Sequence, residues 1–339
     1  MGVTPWPGNF TAAEVDTAYQ FINTSCDIVS HHFDDGIPYQ EFYSNQPLPG
    51  AFLQEVQFRK TRINAGKKIF LSVSALNLSR KEKADYYINS SQPDSIKNYW
   101  KQLPPNNEKV VAAYAAYISW LIDQLQPVYV NYGVESNSAL WDAGQFLLYK
   151  DFLRQVYALV KPKYPSLPFF LSFVVDETTQ GWENARQLLP YTDFIGLSAY
   201  PYVTVSSSAG GNTDPALFPA NYFEKFIALD AGKPMAFAET GYIAENLQIP
   251  SYALNKQGKP DWQRSYLETV FALCERHQAK MLIWFCSKDY DAGSAYLKSV
   301  GLYQDLFGFW QDTGLKDEAG RPRPAFATWM NWLARTKLN

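Results

Sequence analysis

The stretch "VYVNYGVESN" (Val128–Asn137) runs apolar and β-prone for several residues and then delivers a carboxylate, Glu135. Further on, "PMAFAETGY" (Pro234–Tyr242) repeats the pattern and reaches Glu239. Strands that are apolar throughout, rather than alternating, fit a parallel sheet buried on both faces. Working outward, related runs recur as "GVTPW", "CDIVSHHF", "KIFLSVSAL", "FFLSFVV", "FIGLSAY" and "MLIWFCS", with stretches of helical period between them. Eight strand–helix units in 339 residues predict an α/β fold, a (β/α)₈ or TIM barrel, as one domain over residues 1–339 with loop insertions. A doubly wound open sheet competes, but no Gly-rich dinucleotide fingerprint follows the first strand.

The helical stretches carry their own signals. "TAAEVDTAYQFI" has Thr11 as N-cap and Glu14 three residues on, the spacing of a capping box. "EKVVAAYAAYISWLIDQL" puts Val110, Tyr114, Tyr117, Ile118, Leu121 and Leu125 on one stripe. Phe146, Tyr149, Leu153, Val156 and Val160 do the same in the next helix, and Trp262, Tyr266, Val270 and Cys274 in a helix over 262–277. Residues 77–105 and 203–220 read as insertions.

A net charge of -3 with both signs mixed along the chain excludes nucleic acid and an anionic membrane as expected partners. No apolar run reaches the length needed to span a bilayer. The three cysteines form neither a metal spacing nor a disulfide framework. The aromatic share is high at 16%, with 10 Trp and 23 Tyr. Most belong in a large core, and the remainder suit the apolar faces of sugar rings.

In such a barrel the active site lies at the C-terminal ends of the strands. Strand two delivers His31, His32 and then Asp34 and Asp35, and strand three delivers Asn77 and Arg80. Strand four ends in Glu135 and Asn137, strand five in Asp176 and Glu177, strand six in Tyr200 and Tyr202. Strand seven carries Glu239, and strand eight Trp284. The expected catalytic pair is Glu135 and Glu239. His31, His32, Asp34, Asn77, Arg80, Asn137, Tyr200, Tyr202 and Trp284 are the expected substrate-binding residues. Adjacent side chains on a strand point to opposite faces, so only one of His31 and His32 is expected to face the site. Two carboxyl groups with aromatics around them match glycoside hydrolysis, in which one group protonates the leaving oxygen and the other attacks or activates water.

The arrangement resembles the retaining glycoside hydrolases of clan A, and "DFIGLSAYPY" (Asp193–Tyr202) and "KPMAFAETGY" (Lys233–Tyr242) resemble the strand-six and strand-seven motifs of the family 53 endo-β-1,4-galactanases. The resemblance implies Glu135 as acid/base, Glu239 as nucleophile, Tyr200 beside the nucleophile and Trp284 as the floor of the sugar subsite. An Asn usually precedes the strand-four acid in that clan. Here the position is Val134, and Asn137 is the amide expected to substitute for it.

These features predict a retaining, endo-acting β-glycoside hydrolase that cleaves a plant or microbial β-linked polysaccharide, β-glucan or β-galactan. No cofactor or metal is required, because carboxyl groups and protons do the chemistry. The expected partner is the polysaccharide or oligosaccharide itself, the expected state a monomer, and the expected location secreted or periplasmic, with a leader removed before "MGVTPWPGNF". A catalytically silent, glycan-binding barrel is the alternative. A barrel acting on phosphorylated metabolites would need Gly-rich phosphate loops after strands seven and eight, and "TGYIAENLQIP" and "SKDYDAGSAYLK" do not supply them.

Overall fold

The computed structural model describes residues 1–335. Eight parallel strands close into a barrel: β1 (Gly2–Val3), β2 (Ile28–Phe33), β3 (Lys68–Val73), β4 (Tyr129–Gly133), β5 (Phe169–Val174), β6 (Ile195–Ala199), β7 (Met235–Thr240) and, after a small antiparallel hairpin of β8 (Leu247–Ile249) and β9 (Leu254–Lys256), β10 (Leu282–Trp284). The ring order is β1-β10-β7-β6-β5-β4-β3-β2, so sequential barrel strands are neighbours throughout. The described chain gathers into two compact units.

One unit comprises His31–Val174 and Thr178–Gly196. Here β3 and β4 pair Phe70 with Tyr129 and Ser72 with Asn131, and β4 pairs with β5 through Asn131 and Phe170. The register then shifts before Gly133 meets Leu171. A bulge of this kind re-aims the residues just beyond it, and Glu135 is among them. Gly133 is required at this point. A Cβ there would stand 2.5 Å from the Ser136 hydroxyl, which donates a 2.8 Å hydrogen bond to the Gly133 carbonyl. The helix Glu108–Leu125 matches its predicted bounds, and every residue of its predicted stripe is buried. The same holds for the stripe of helix Ala143–Val160, which starts on a full capping box between Asp142 and Gln145. Where sequence reads only an insertion, the structure has a further helix, Asp94–Gln102, anchored by the buried Trp100.

The other unit comprises Met1–Ser30, Val175–Glu177 and the chain from Leu197 onward. Its strands pair Val3 with Trp284 and Trp284 with Thr240. Thr11 caps helix Ala12–Ser25 by accepting from the Glu14 N–H at 3.3 Å, but the reciprocal half of the capping box is missing. The Glu14 carboxylate instead accepts two hydrogen bonds from Lys288 at 2.9 and 3.0 Å, a stronger, charge-assisted partner. Helix Pro260–Arg276 buries Gln263, Tyr266, Leu267, Val270 and Phe271, so the predicted stripe is rotated and Trp262 lies at its edge under Lys259. That helix packs on the closing helix Pro324–Leu333 through Phe271 and Trp332, stacked at 4.4 Å. Beyond residue 220 and before β7, a single helical turn forms, Glu224–Ile227. Among the described residues, no helix is long and apolar enough to cross a membrane.

Candidate active site

Glu135 stands two residues beyond β4 with a positive φ of 52°, the left-handed conformation that favours glycine. Its N–H donates to the Ser172 hydroxyl at 3.0 Å, and its Oε2 accepts from Arg80 Nε at 2.8 Å. Arg80 is left-handed too, at φ 57°. Its Nη1 donates to the Asn77 carbonyl at 3.1 Å, and its own carbonyl accepts from the Trp141 indole. A left-handed non-glycine residue costs roughly 1–2 kcal/mol. Two of them cost about as much as the charge-assisted hydrogen bond between them returns, roughly 1.5–3 kcal/mol. The arrangement therefore gains the fold little. What it does is fix one carboxylate and one guanidinium in a set geometry.

Under Glu135 lies a polar layer that reading the strand ends misses. Asn131, 1% exposed on β4, donates to the Ser172 hydroxyl of β5 at 3.0 Å and, more weakly, to the Ser72 hydroxyl of β3 at 3.5 Å. The signal was present in the sequence as one polar residue in the middle of each of three apolar strands.

The remaining predicted residues of this unit divide. Asn77 braces the insertion, its side-chain oxygen accepting from Ser79 Oγ and the N–H groups of Lys81 and Glu82. His32 lies 3.6 Å from Asp34, whose side chain is exposed. His31 is a correction. It is fully buried, neither ring nitrogen meets a hydrogen-bond partner among the described residues, and burial, with Arg59 nearby, lowers its pKa to about 3. It shares a strand face with Phe33, whose ring lies 4.4 Å under the Arg59 guanidinium of helix Gly50–Thr61, so His31 looks toward that helix. Asn137 is another correction. Its amide nitrogen donates to the carbonyls of Val174 and Gly181, its oxygen accepts from the Val174 N–H, and only 1% of the residue is exposed. The amide is spent on joining the loop after β4 to β5, and the neighbouring Val134 is buried.

In the other unit Glu239 sits on β7, and its Oε1 accepts from the Tyr200 hydroxyl at 2.5 Å. The Tyr200 ring meets Trp310 edge-on at 5.8 Å, Trp310 meets Phe285 at 6.3 Å, and Phe285 meets Trp6 at 5.8 Å. Trp6, Phe285 and Trp310 are each partly exposed, so this line of aromatic rings extends from the tyrosine that binds Glu239. Trp284 is not part of it. Its ring is fully buried against Tyr266 of helix Pro260–Arg276, and its N–H is used by the Thr313 carbonyl at 2.9 Å. Strand alternation explains the correction: if Trp284 points at the helix, the next residue, Phe285, points the other way. Tyr202 is also buried, its hydroxyl donating to the Phe309 carbonyl at 2.8 Å. The rival carboxylate Glu177 accepts from the Ser206 N–H, and the hydrogen bonds from Ser206 hold its carboxyl below the usual range.

Two acidic clusters among the described residues bring metal-ligating groups together, Glu245 with Asp289 and Glu318, and Asp289 with Asp291 and Asp312. Arg323 bridges Asp289 and Glu245, the Gly314 N–H donates to Asp289, and Gln311 donates to Asp291. Protein donors thus already serve Glu245, Asp289 and Asp291.

No family model and no curated protein sequence matches the chain. Solved structures do. The chain is similar to the exo-β-1,4-mannosidase Op5Man5 of Opitutaceae bacterium strain TAV5, at 16% identity and a TM-score of 0.60 over 98% of this chain and 58% of that one. It is similar to the GH5_18 protein of Streptomyces cattleya solved with GlcNAc, at 15% identity and a TM-score of 0.64 over 99% and 80%. It is similar also to the β-glucuronidase of Ruminococcus gnavus, at 14% identity and a TM-score of 0.58 over 100% and 50%. The likeness is one of fold. These neighbours carry mannosidase, GH5_18 and glucuronidase names, so the galactanase resemblance remains with the two sequence segments that prompted it.

Proposed function

We propose that this chain is a retaining β-glycoside hydrolase in which Glu239 is the nucleophile and Glu135 the acid, then the base. The observation that carries the reading is that each strand-end glutamate has a side-chain donor of its own, Arg80 for Glu135 and Tyr200 for Glu239. The structural neighbours, whose names include an exo-β-1,4-mannosidase and a β-glucuronidase, support the class of reaction. In the first step the Glu239 carboxylate attacks the anomeric carbon, and Glu135 gives its proton to the departing glycosidic oxygen. In the second, Glu135 takes a proton from water, which displaces Glu239 from the sugar. The Tyr200 hydroxyl orients the nucleophile, and Arg80 orients the acid/base. The partly exposed rings from Trp6 to Trp310 replace Trp284 as the apolar surface offered to sugar. A substrate of polymeric β-glycan is the basis for proposing a secreted or periplasmic location.

A second reading has a specific observation in its favour. The position before the acid is the buried Val134, and the Asn137 amide is consumed within the protein, so neither supplies the amide that clan A places beside its acid. That loss suits a barrel that binds glycans without cleaving them.

One panel separates the two. Release of reducing sugar is measured on β-1,4-mannan, β-1,4-galactan, β-1,3-glucan and aryl β-mannoside, β-glucoside and β-glucuronide, with wild type beside Glu239→Gln and Glu135→Gln. Hydrolysis of one substrate by wild type, falling at least about 1,000-fold in Glu239→Gln, supports the proposal. Binding without turnover supports the silent barrel, and full activity in either variant removes that glutamate from its role.

A further inference from the structure

The insertion over residues 77–105 does more than extend the barrel rim. With the start of helix Ala143–Val160 it borders a half-open cavity of about 480 Å³, a size typical of small-molecule sites, roughly 300–1,000 Å³. Lys81, Lys83, Lys97 and Lys101 line it, against the carboxylates of Glu82 and Asp85. Four lysines less two carboxylates leave an excess of two positive charges, in a chain whose net charge is -3. Two of the lysines, Lys83 and Lys101, are held close to one another. Lys83 Nζ donates to the Lys101 carbonyl at 2.7 Å. Burial holds the Lys83 ammonium below the usual lysine range and the charge of Lys101 pushes the same way, while Glu82 and Asp85 oppose them. An anion in the cavity would relieve that repulsion.

The rest of the lining is mixed, with Asn98 and Gln145 beside the apolar Leu103, Pro104 and Pro105. Behind these side chains Trp100, Tyr39 and Trp141 are buried, Trp100 stacking on Tyr39 at 5.4 Å and donating its N–H to Gln40 at 3.0 Å, so they back the cavity and do not face it with open rings. Leu148, 41% exposed, adds an open aliphatic surface. Positive side chains beside accessible apolar ones suit a charged sugar, because its carboxylate and its C–H face must be met together.

We propose that this cavity binds an acidic sugar, a uronic acid residue of a glycan, with the lysines on its carboxylate and the accessible apolar side chains against its ring. The anionic half of the proposal rests on the cavity alone, and the saccharide half rests on the glycoside hydrolase reading above. Arg80, which holds Glu135, directly precedes Lys81, so the cavity adjoins the arm that positions the acid/base.

The test is calorimetric titration of the full chain with sodium glucuronate, glucose and sodium sulfate at low ionic strength, on wild type and on the double variant Lys97→Ala/Lys101→Ala. Glucuronate is expected to bind at least about tenfold more tightly than glucose or sulfate, and the double variant to lose at least about tenfold of that affinity with an unchanged melting temperature. Equal binding of glucose, or undiminished glucuronate binding in the double variant, overturns the proposal. Sulfate binding as tightly as glucuronate removes the sugar and leaves a plain oxyanion site. None of these readouts requires turnover, so a chain that hydrolyses nothing on the panel but binds glucuronate through its lysines sinks the hydrolase reading and not this one.

Discussion

The most informative residues are Arg80 and Glu135, two of the six left-handed residues other than glycine among the described residues. A sequence selected for stability alone would place glycine at such backbone positions. Keeping a charged residue at both is the kind of cost that functional sites carry. Glu135→Gly should therefore abolish hydrolysis while leaving the melting temperature equal to wild type or higher, read by thermal unfolding beside an activity assay. A clear fall in melting temperature would mark Glu135 as a structural brace. At this scale the sequence was partly legible. Acids at strand tips can be read from a run of letters, and so can the tyrosine two residues past the "GLS" of β6, which binds Glu239. What could not be read was side-chain parity. Trp284 and Phe285 are adjacent, and only the packing against Tyr266 tells which one turns toward the helix. Asn137 failed for another reason, since whether an amide is free depends on which carbonyls the next strand brings near it.

At the scale of the element, β2 shows how one strand separates two equal letters. His32 keeps contact with Asp34, and His31 is sealed beneath helix Gly50–Thr61 as a neutral imidazole. Its folded pKa of about 3 lies below the ordinary histidine value near 6.5. Above that value both folded and unfolded chains hold it neutral, and its contribution to stability is complete. As pH falls below it, the unfolded chain binds a proton the folded one refuses, and stability drops by about 1.4 kcal/mol per pH unit until the folded pKa is reached. His31→Leu fills the same apolar space without a titrating group. It is expected to unfold in urea with a pH dependence shallower by about one proton between pH 6 and 4. An unchanged slope would show that His31 is not the group responsible. Helices with strong stripes were read to the residue, as Glu108–Leu125 shows. The short helix Asp94–Gln102 was not, because one buried residue, Trp100, is too little signal to separate a helix from a loop.

For the whole molecule, the eightfold alternation of buried strand and amphipathic helix was enough to predict a closed barrel, and ring order follows chain order with only the β8–β9 hairpin interposed. The proposed hydrolysis requires Glu135 and Glu239 to act in a single double displacement. The direct measurement is mass spectrometry of the chain after incubation with a 2-deoxy-2-fluoro activated β-glycoside of the sugar identified by the panel. The fluorine destabilises the oxocarbenium-like transition states, and the good leaving group lets the first step outrun the second. One added glycosyl group is expected, mapped to the peptide carrying Glu239 and absent in Glu239→Gln. An adduct on any other residue, or steady turnover of the unmodified glycoside with inverted configuration and no adduct, would contradict the double displacement.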